Sequence, residues 1–313
     1  CLVGSEMCIR DRYIGADKKI HQTGNFTYRT VFSGWDVFRS QFPLQTLINP
    51  RLVNDEINSL IQIAQLSGKE YYPRWEVVNA YSGCMLGNPA ISVLADAYEK
   101  GIREYDVQKA VEYAANTQKQ FGNGDLGYTP GSLSHTLEYA YTDWCLGQLM
   151  SSLGKKKEAA EYEKRAKAYR NVWCDSVQWF RARVKGGGWL PWRGRTAQDQ
   201  GTTESNPFQQ GWFVPHDIDG MKALMGGQKK FDAELEEFFA NVPEDFLWND
   251  YYNHPNEPNH HVPFLFNYSS CPWLTQKWTR KICDKAYGDD VLGLCGNEDV
   301  GQMLSLIHIS EPT

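Results

Sequence analysis

No stretch of this sequence approaches the roughly 20 consecutive apolar residues that a bilayer span needs, and no Lys/Arg-then-apolar leader stands at its start. A membrane-spanning segment is therefore not expected. Basic residues never cluster beyond Lys155, Lys156 and Lys157, and 32 Lys and Arg against 38 Asp and Glu give a formal net charge of −6, which argues against nucleic acid as a partner. The eight cysteines form no C-x-x-C pair, so a zinc knuckle or dithiol redox motif is unsupported, and they are too sparse for a disulfide scaffold. A Gly-rich phosphate loop, a dinucleotide fingerprint and a G-x-S-x-G elbow are all missing, and with them the usual signals of phosphoryl, hydride and acyl chemistry. Neither an H-E-x-x-H helix nor an EF-hand loop is present, and alternating strand patterns are scarce.

What is present is helical grammar. With 42% hydrophobic residues over 313 positions, the chain can bury one large core or two small ones. From Asn49, the segment NPRLVNDEINSLIQIAQLSG puts Leu52, Val53, Ile57, Leu60, Ile61 and Ala64 on one helical face, with Asn49 as N-cap, Pro50 at the first helical position and Gly68 as terminator. The same logic predicts helices over 89–100, 106–121, 134–153, 156–172, 217–225, 231–239 and 275–287. Long connections rich in Gly, Pro and Trp, such as 186–195 and 248–264, separate them. The class is mainly α, and helix pairs in series with converging aromatic-rich loops suit an α/α toroid. The 11 Trp and 17 Tyr exceed what a core needs, because these side chains favour half-wet sites such as sugar clefts. The ends, 1–12 (CLVGSEMCIRDR) and 304–313 (LSLIHISEPT), share no periodicity with their neighbours and resemble translated sequencing-adapter strings. The natural fragment is expected to run over 13–303.

Four strings concentrate chemistry. In Asn256-Glu257-Pro258-Asn259-His260-His261, two prolines and nearby aromatics would desolvate Glu257 and raise its pKa, as a general acid at neutral pH requires; a loop carboxylate capping the next helix is the plainer alternative. Adjacent His260 and His261 point in different directions, which disfavours a zinc site; they either hydrogen-bond substrate hydroxyls or are satisfied by neighbouring groups. In Gly296-Asn297-Glu298-Asp299-Val300-Gly301, hard oxygen donors flanked by glycines suit Ca²⁺, and a carboxylate there can also activate water. Asp36 and Arg39 lie one turn apart in the aromatic run 32–43, where they pair with each other or where Asp36 takes sugar hydroxyls while Trp35 stacks on a ring. Finally, His216-Asp217 follows an aromatic segment at a helix start, where capping by Asp217 suffices. Paired carboxylates without a cofactor motif point to glycoside hydrolysis.

Taken in order, F-S-G-W-D-V-F-R-S-Q-F-P, G-C-M-L-G-N-P-A-I-S-V-L-A-D-A-Y, T-L-E-Y-A-Y-T-D-W-C, W-F-V-P-H-D, N-E-P-N-H-H and G-N-E-D-V-G-Q-M resemble glycoside hydrolase family 92. The resemblance implies part of an (α/α)6 toroid, preceded in full-length members by a β-sandwich domain. It further implies a calcium-dependent exo-α-mannosidase that removes terminal α-linked mannose from glycans with inversion, exported to the periplasm, cell surface or medium. Glu257 then matches the acid and Asp299 the base, about 6.5–9.5 Å apart to admit water. Trp35, Asp36, His260, His261 and, less closely, Arg39 match positions holding the mannose. Asn297 stands where some members have Asp. Asn297 and Glu298 are calcium-ligand candidates on chemical grounds alone. A non-catalytic glycan-binding helical domain, and a metal-dependent hydrolase of another substrate, are the competing readings.

Overall fold

The computed structural model describes residues 12–30 and 33–310, with side chains to Ile307. The expected flank 1–12 lies outside these residues apart from Arg12, as does 311–313. In chain order the elements are β1 (Tyr13–Ile14), β2 (Ile20–His21), α1 (Gly34–Val37), α2 (Gln41–Ile48), α3 (Pro50–Leu66), β3 (Glu76–Val77), β4 (Ala80–Tyr81), α4 (Pro89–Glu99), α5 (Val107–Phe121), α6 (Leu133–Ser152), α7 (Lys156–Arg165), β5 (Trp173–Cys174), β6 (Trp179–Phe180), α8 (Pro207–Gln210), α9 (Ile218–Met225), α10 (Gln228–Ala240), α11 (Trp273–Ala286) and α12 (Gln302–Ser310). The protein is mainly α. Among the described residues, the three strand pairs are two-residue antiparallel ribbons, too short for a sheet of their own.

The N-cap signals act as expected. The side chain of Asn49 accepts from the Leu52 amide, that of Asp106 from Lys109 and that of Asp217 from Gly220, each satisfying one orphan donor of the helix it opens. One predicted helix changes character: 156–172 is α-helical only to Arg165 and becomes a 3₁₀ helix over Ala166–Val172. The reason is a change of period. Ala166, Tyr169 and Val172 are all buried at intervals of three, the spacing at which 3₁₀ side chains eclipse. Helix α12 runs from Gln302 to Ser310, across the boundary expected at Met303, with Ser305 and Leu306 buried.

The chain divides into two compact units. The first comprises the chain to Gly124, Glu138–Ala166 and Asp299–Ser305. Its core packs Val53, Ile57 and Leu60 of α3 against Ile91 and Leu94 of α4, Val111 and Ala114 of α5, and Leu146 and Leu149 of α6. Gln118 and Asp143 are examples of polar groups inside it that have partners. Gln118 donates to the Tyr139 carbonyl and accepts from Asn88 and Thr142. Asp143, fully buried on α6, lies 3.1 Å from the half-buried guanidinium of Arg165.

Burial pushes the Asp143 carboxyl up to about 7, against the downward pull of Arg165. Because the folded-state pKa lies above the ordinary value near 3.9, the unfolded chain releases this proton first. The group's contribution to stability is complete at low pH and is lost as pH rises towards 7. Asp143→Asn should therefore gain in stability relative to the wild type between pH 4 and pH 8, seen as a rising difference in Tm, with the free-energy gain bounded at about 4 kcal/mol, three pKa units. Paired melts across that range check the sign; a flat difference would contradict it.

The second unit comprises Asp125–Leu137, Lys167–Glu298 and the chain from Leu306. Its core is aromatic: Trp179, Phe208, Trp212, Phe231, Phe238, Phe239 and Tyr252 are all buried. Many of them meet edge to face, as Trp179 and Trp212 do at 5.3 Å and Phe208 and Phe238 at 4.8 Å, while Phe239 and Tyr252 stack at 4.7 Å. Arg195 closes one side, its guanidinium 3.9 Å over Phe208 while it binds Glu234 and Glu237. A good part of the aromatic surplus is thus spent on packing.

Candidate active site

In the first unit the candidate residues gather on two turns. The first begins at Ser33, whose φ of 58° is left-handed, and runs into the short helix α1. Gly34 is required there, because a Cβ would lie 2.7 Å from the Arg74 carbonyl. The turn delivers Trp35 and Asp36, both buried, and Arg39 behind them. The second turn holds three consecutive left-handed residues, Asp299 (φ 48°), Val300 (φ 63°) and Gly301 (φ 92°). For β-branched Val300 this is a true outlier, and strain of about 1–3 kcal/mol per residue persists only where the surroundings impose it. The anchors are visible: Val300 packs on the core, and Ser40 Oγ donates to Gln302, 2.9 Å from both its main-chain and side-chain oxygens.

The result is a close pair of carboxylates, with an Asp36 oxygen and an Asp299 oxygen within 4.8 Å. Two oxygens ligating one Ca²⁺ at about 2.3–2.6 Å each stand at most about 5 Å apart, so the pair fits a calcium ion in spacing and in ligand hardness. Among the described residues, Glu298 belongs to no group of this kind.

In the second unit, Glu257 opens a 3₁₀ turn over Glu257–Asn259 and is 4% exposed. Amide side chains fix this loop. Gln209 Nε2 donates to the carbonyls of Asn249 and Tyr251 at 2.7 and 2.8 Å, and Asn206 Nδ2 to that of Asp250 at 2.9 Å. Asn259 Oδ1 accepts from the Asn253 amide, and Asn256 Nδ2 donates to the Glu204 carbonyl. Gly296 presses on the same loop: a Cβ there would meet Pro255 at 3.0 Å. The two histidines diverge, as adjacency predicts. His260 Nε2 donates to the His254 carbonyl at 3.0 Å and His261 Nε2 to the Trp212 carbonyl at 2.8 Å. Asn297 is exposed and Glu298 half-buried.

Three residues not singled out from sequence stand out here. Glu138 is buried on α6 and binds Trp35 and Arg39; a carboxylate on the helical face of Tyr141 and Cys145, three and seven residues on, is the signal that would have found it. His254 is held between the phenols of Tyr252 (2.7 Å) and Tyr287 (2.9 Å), and burial pushes its pKa down to about 3, so it stays neutral. Glu204 is exposed and left-handed at φ 52°, on the loop that Asn256 ties to Glu257. Unusual backbone at a carboxylate leaves no mark in sequence.

The family described as Glycosyl hydrolase family 92 catalytic domain matches residues 4–311, and this chain belongs to it. Among solved structures, the chain is similar to the family GH92 α-mannosidase BT3965 from Bacteroides thetaiotaomicron, with 32% identity and a TM-score of 0.90, over 96% of this chain and 42% of that one. It is also similar to the inverting mannosidase BT2199 from the same organism, with 30% identity and a TM-score of 0.83, over 95% and 44% of the two chains. A curated relative, an uncharacterized secreted glycosidase of Arthroderma benhamiae, is 29% identical over 265 residues, 69% of this chain and 33% of the relative. The chain thus spans less than half the length of each of these proteins.

Proposed function

We propose that this chain is the catalytic part of a calcium-assisted, inverting exo-α-mannosidase acting on terminal mannose of glycans. The observation that carries the reading is the Asp36–Asp299 carboxylate pair, with Asp299 on strained backbone, in a chain similar to solved mannosidases. Asp299 takes the proton from a water as it attacks the anomeric carbon, and Glu257 gives a proton to the departing glycosidic oxygen. Inversion follows because attack and departure are on opposite faces of the ring. Asp36, His260 and His261 orient the sugar hydroxyls beside Trp35, and Arg39 backs that turn. Asp36 and Asp299, with Asn297 and Glu298 as further candidates, would hold a Ca²⁺ ion, which would supply fixed positive charge to the sugar oxygens next to the reacting carbon. Export from the cytoplasm accords with the secreted relative.

A second assignment of the acid has its own observation. Glu257 is almost wholly enclosed, whereas Glu204 is exposed on a left-handed residue of a loop bonded to it. On this assignment Glu204 protonates the leaving group and Glu257 holds the sugar or the cation.

The reaction is tested in the full-length protein by following release of mannose from terminal α-mannosides by NMR, where inversion makes β-mannose the first product. Excess EGTA should abolish turnover, and Ca²⁺ but not Zn²⁺ should restore it. Full activity in EGTA would remove calcium from the proposal, and α-mannose as first product would remove inversion.

A further inference from the structure

We infer that Glu138 is a positioning residue that sets the Trp35–Asp36 turn, an inference that rests on the proposed function of that turn. Its carboxylate is 1% exposed, yet one oxygen, Oε1, takes two bonds from a single turn: Trp35 Nε1–H at 3.1 Å and Arg39 Nη2–H at 3.3 Å. Arg39 is fixed from two further directions. Its Nε donates to the Trp35 carbonyl at 3.1 Å, and its guanidinium lies 4.7 Å over the Trp35 ring and 4.6 Å over that of Phe38. Glu138, Trp35 and Arg39 form a closed triangle, and Asp36 lies between its corners in sequence. The other oxygen, Oε2, would stand 3.1 Å from a Cβ at Gly87, whose φ of 67° also favours glycine. The carboxylate therefore has little room to move.

Stability alone is a poor account of this arrangement. A buried ion pair gains about as much from attraction as it loses in desolvation, and apolar residues of the same volume often do as well. What the triangle does provide is orientation. Indole, guanidinium and the backbone of 35–39 are locked to a long helix, and the direction of Asp36 follows from theirs. Asp36 is one of the two carboxylates within 4.8 Å of each other, so a small rotation of the turn would open that spacing.

The test uses Glu138→Gln and Glu138→Asp in the full-length protein. Glutamine keeps an acceptor for Trp35 and removes the charge facing Arg39; aspartate keeps the charge and withdraws it by one methylene. Both should fold, with wild-type far-UV circular dichroism, and both should lose about 10²-fold in kcat/KM on a terminal α-mannoside, the cost of misplacement on the ångström scale. Their Kd for Ca²⁺, measured by calorimetry, should weaken in parallel. A merely structural role predicts a lower Tm with unchanged kcat, KM and Ca²⁺ affinity in the folded fraction, and that result overturns the inference. Wild-type protein with neither turnover nor Ca²⁺ binding would instead sink the functional reading, and the inference with it.

Discussion

Glu257→Gln should lower turnover of an unactivated terminal α-mannoside by about 10²–10⁴-fold, the share of the rate that a positioned general acid contributes. It should leave turnover of a mannoside with a strongly acidic phenol as leaving group near the wild-type level. The physical basis is that a good leaving group departs without a proton, so only slow-leaving substrates need the acid. Glutamine is isosteric with glutamate and keeps an oxygen in the 257–259 turn, so the loop anchored through Asn206, Gln209, Asn256 and Asn259 is not disturbed. Glu204→Gln is the matched comparison. If its loss vanishes with the acidic leaving group while that of Glu257→Gln persists for both substrates, the acid is Glu204. Paired kinetics with the two leaving groups decide the matter.

Asp299→Asn should cost at least about 10³-fold in kcat for every mannoside, whatever the leaving group, since water must still be deprotonated. Azide needs no deprotonation. Added azide should restore part of the turnover and yield β-mannosyl azide, inverted like the native product. Asparagine is the right substitution because it tolerates the left-handed φ of 48° almost as well as aspartate, whereas alanine would add backbone strain to lost chemistry. Undiminished hydrolysis by the folded variant, or α-mannosyl azide as product, would remove Asp299 as base.

Much of the helical framework was legible, because it is written in local grammar. Asn49-Pro50, Asn88-Pro89 and Asp106 fixed helix starts within a residue or two, and the stripe of Ile57, Leu60 and Ile61 fell on the buried face of α3. The change to 3₁₀ structure at Ala166 was less visible, since only burial distinguishes a three-residue period from the neighbouring α pattern. At the site, sequence reasoning named Asp36 and Asp299 separately, and the fold of the first unit brings them together. It gave no hint of the left-handed run at Asp299–Val300–Gly301, which is imposed by packing and not by propensity. Trp35 was named for its ring face; its N–H is committed to Glu138, a partner 103 residues away. Long-range pairs of that kind cannot be read from spacing.

The loops that carry Glu204 and Glu257 are fastened by Asn206, Gln209, Asn256 and Asn259, all uncharged amides bonded to main-chain groups. None of these groups titrates, and the neutral imidazole of His254 is fixed alongside them. Added salt has no charge pair to screen in these bonds, and acid has no carboxylate to neutralise in them. The framework therefore keeps its shape while the carboxylates it presents gain or lose their protons, so a pH or ionic-strength profile of activity would report the chemistry of those carboxylates and not the loosening of these supports.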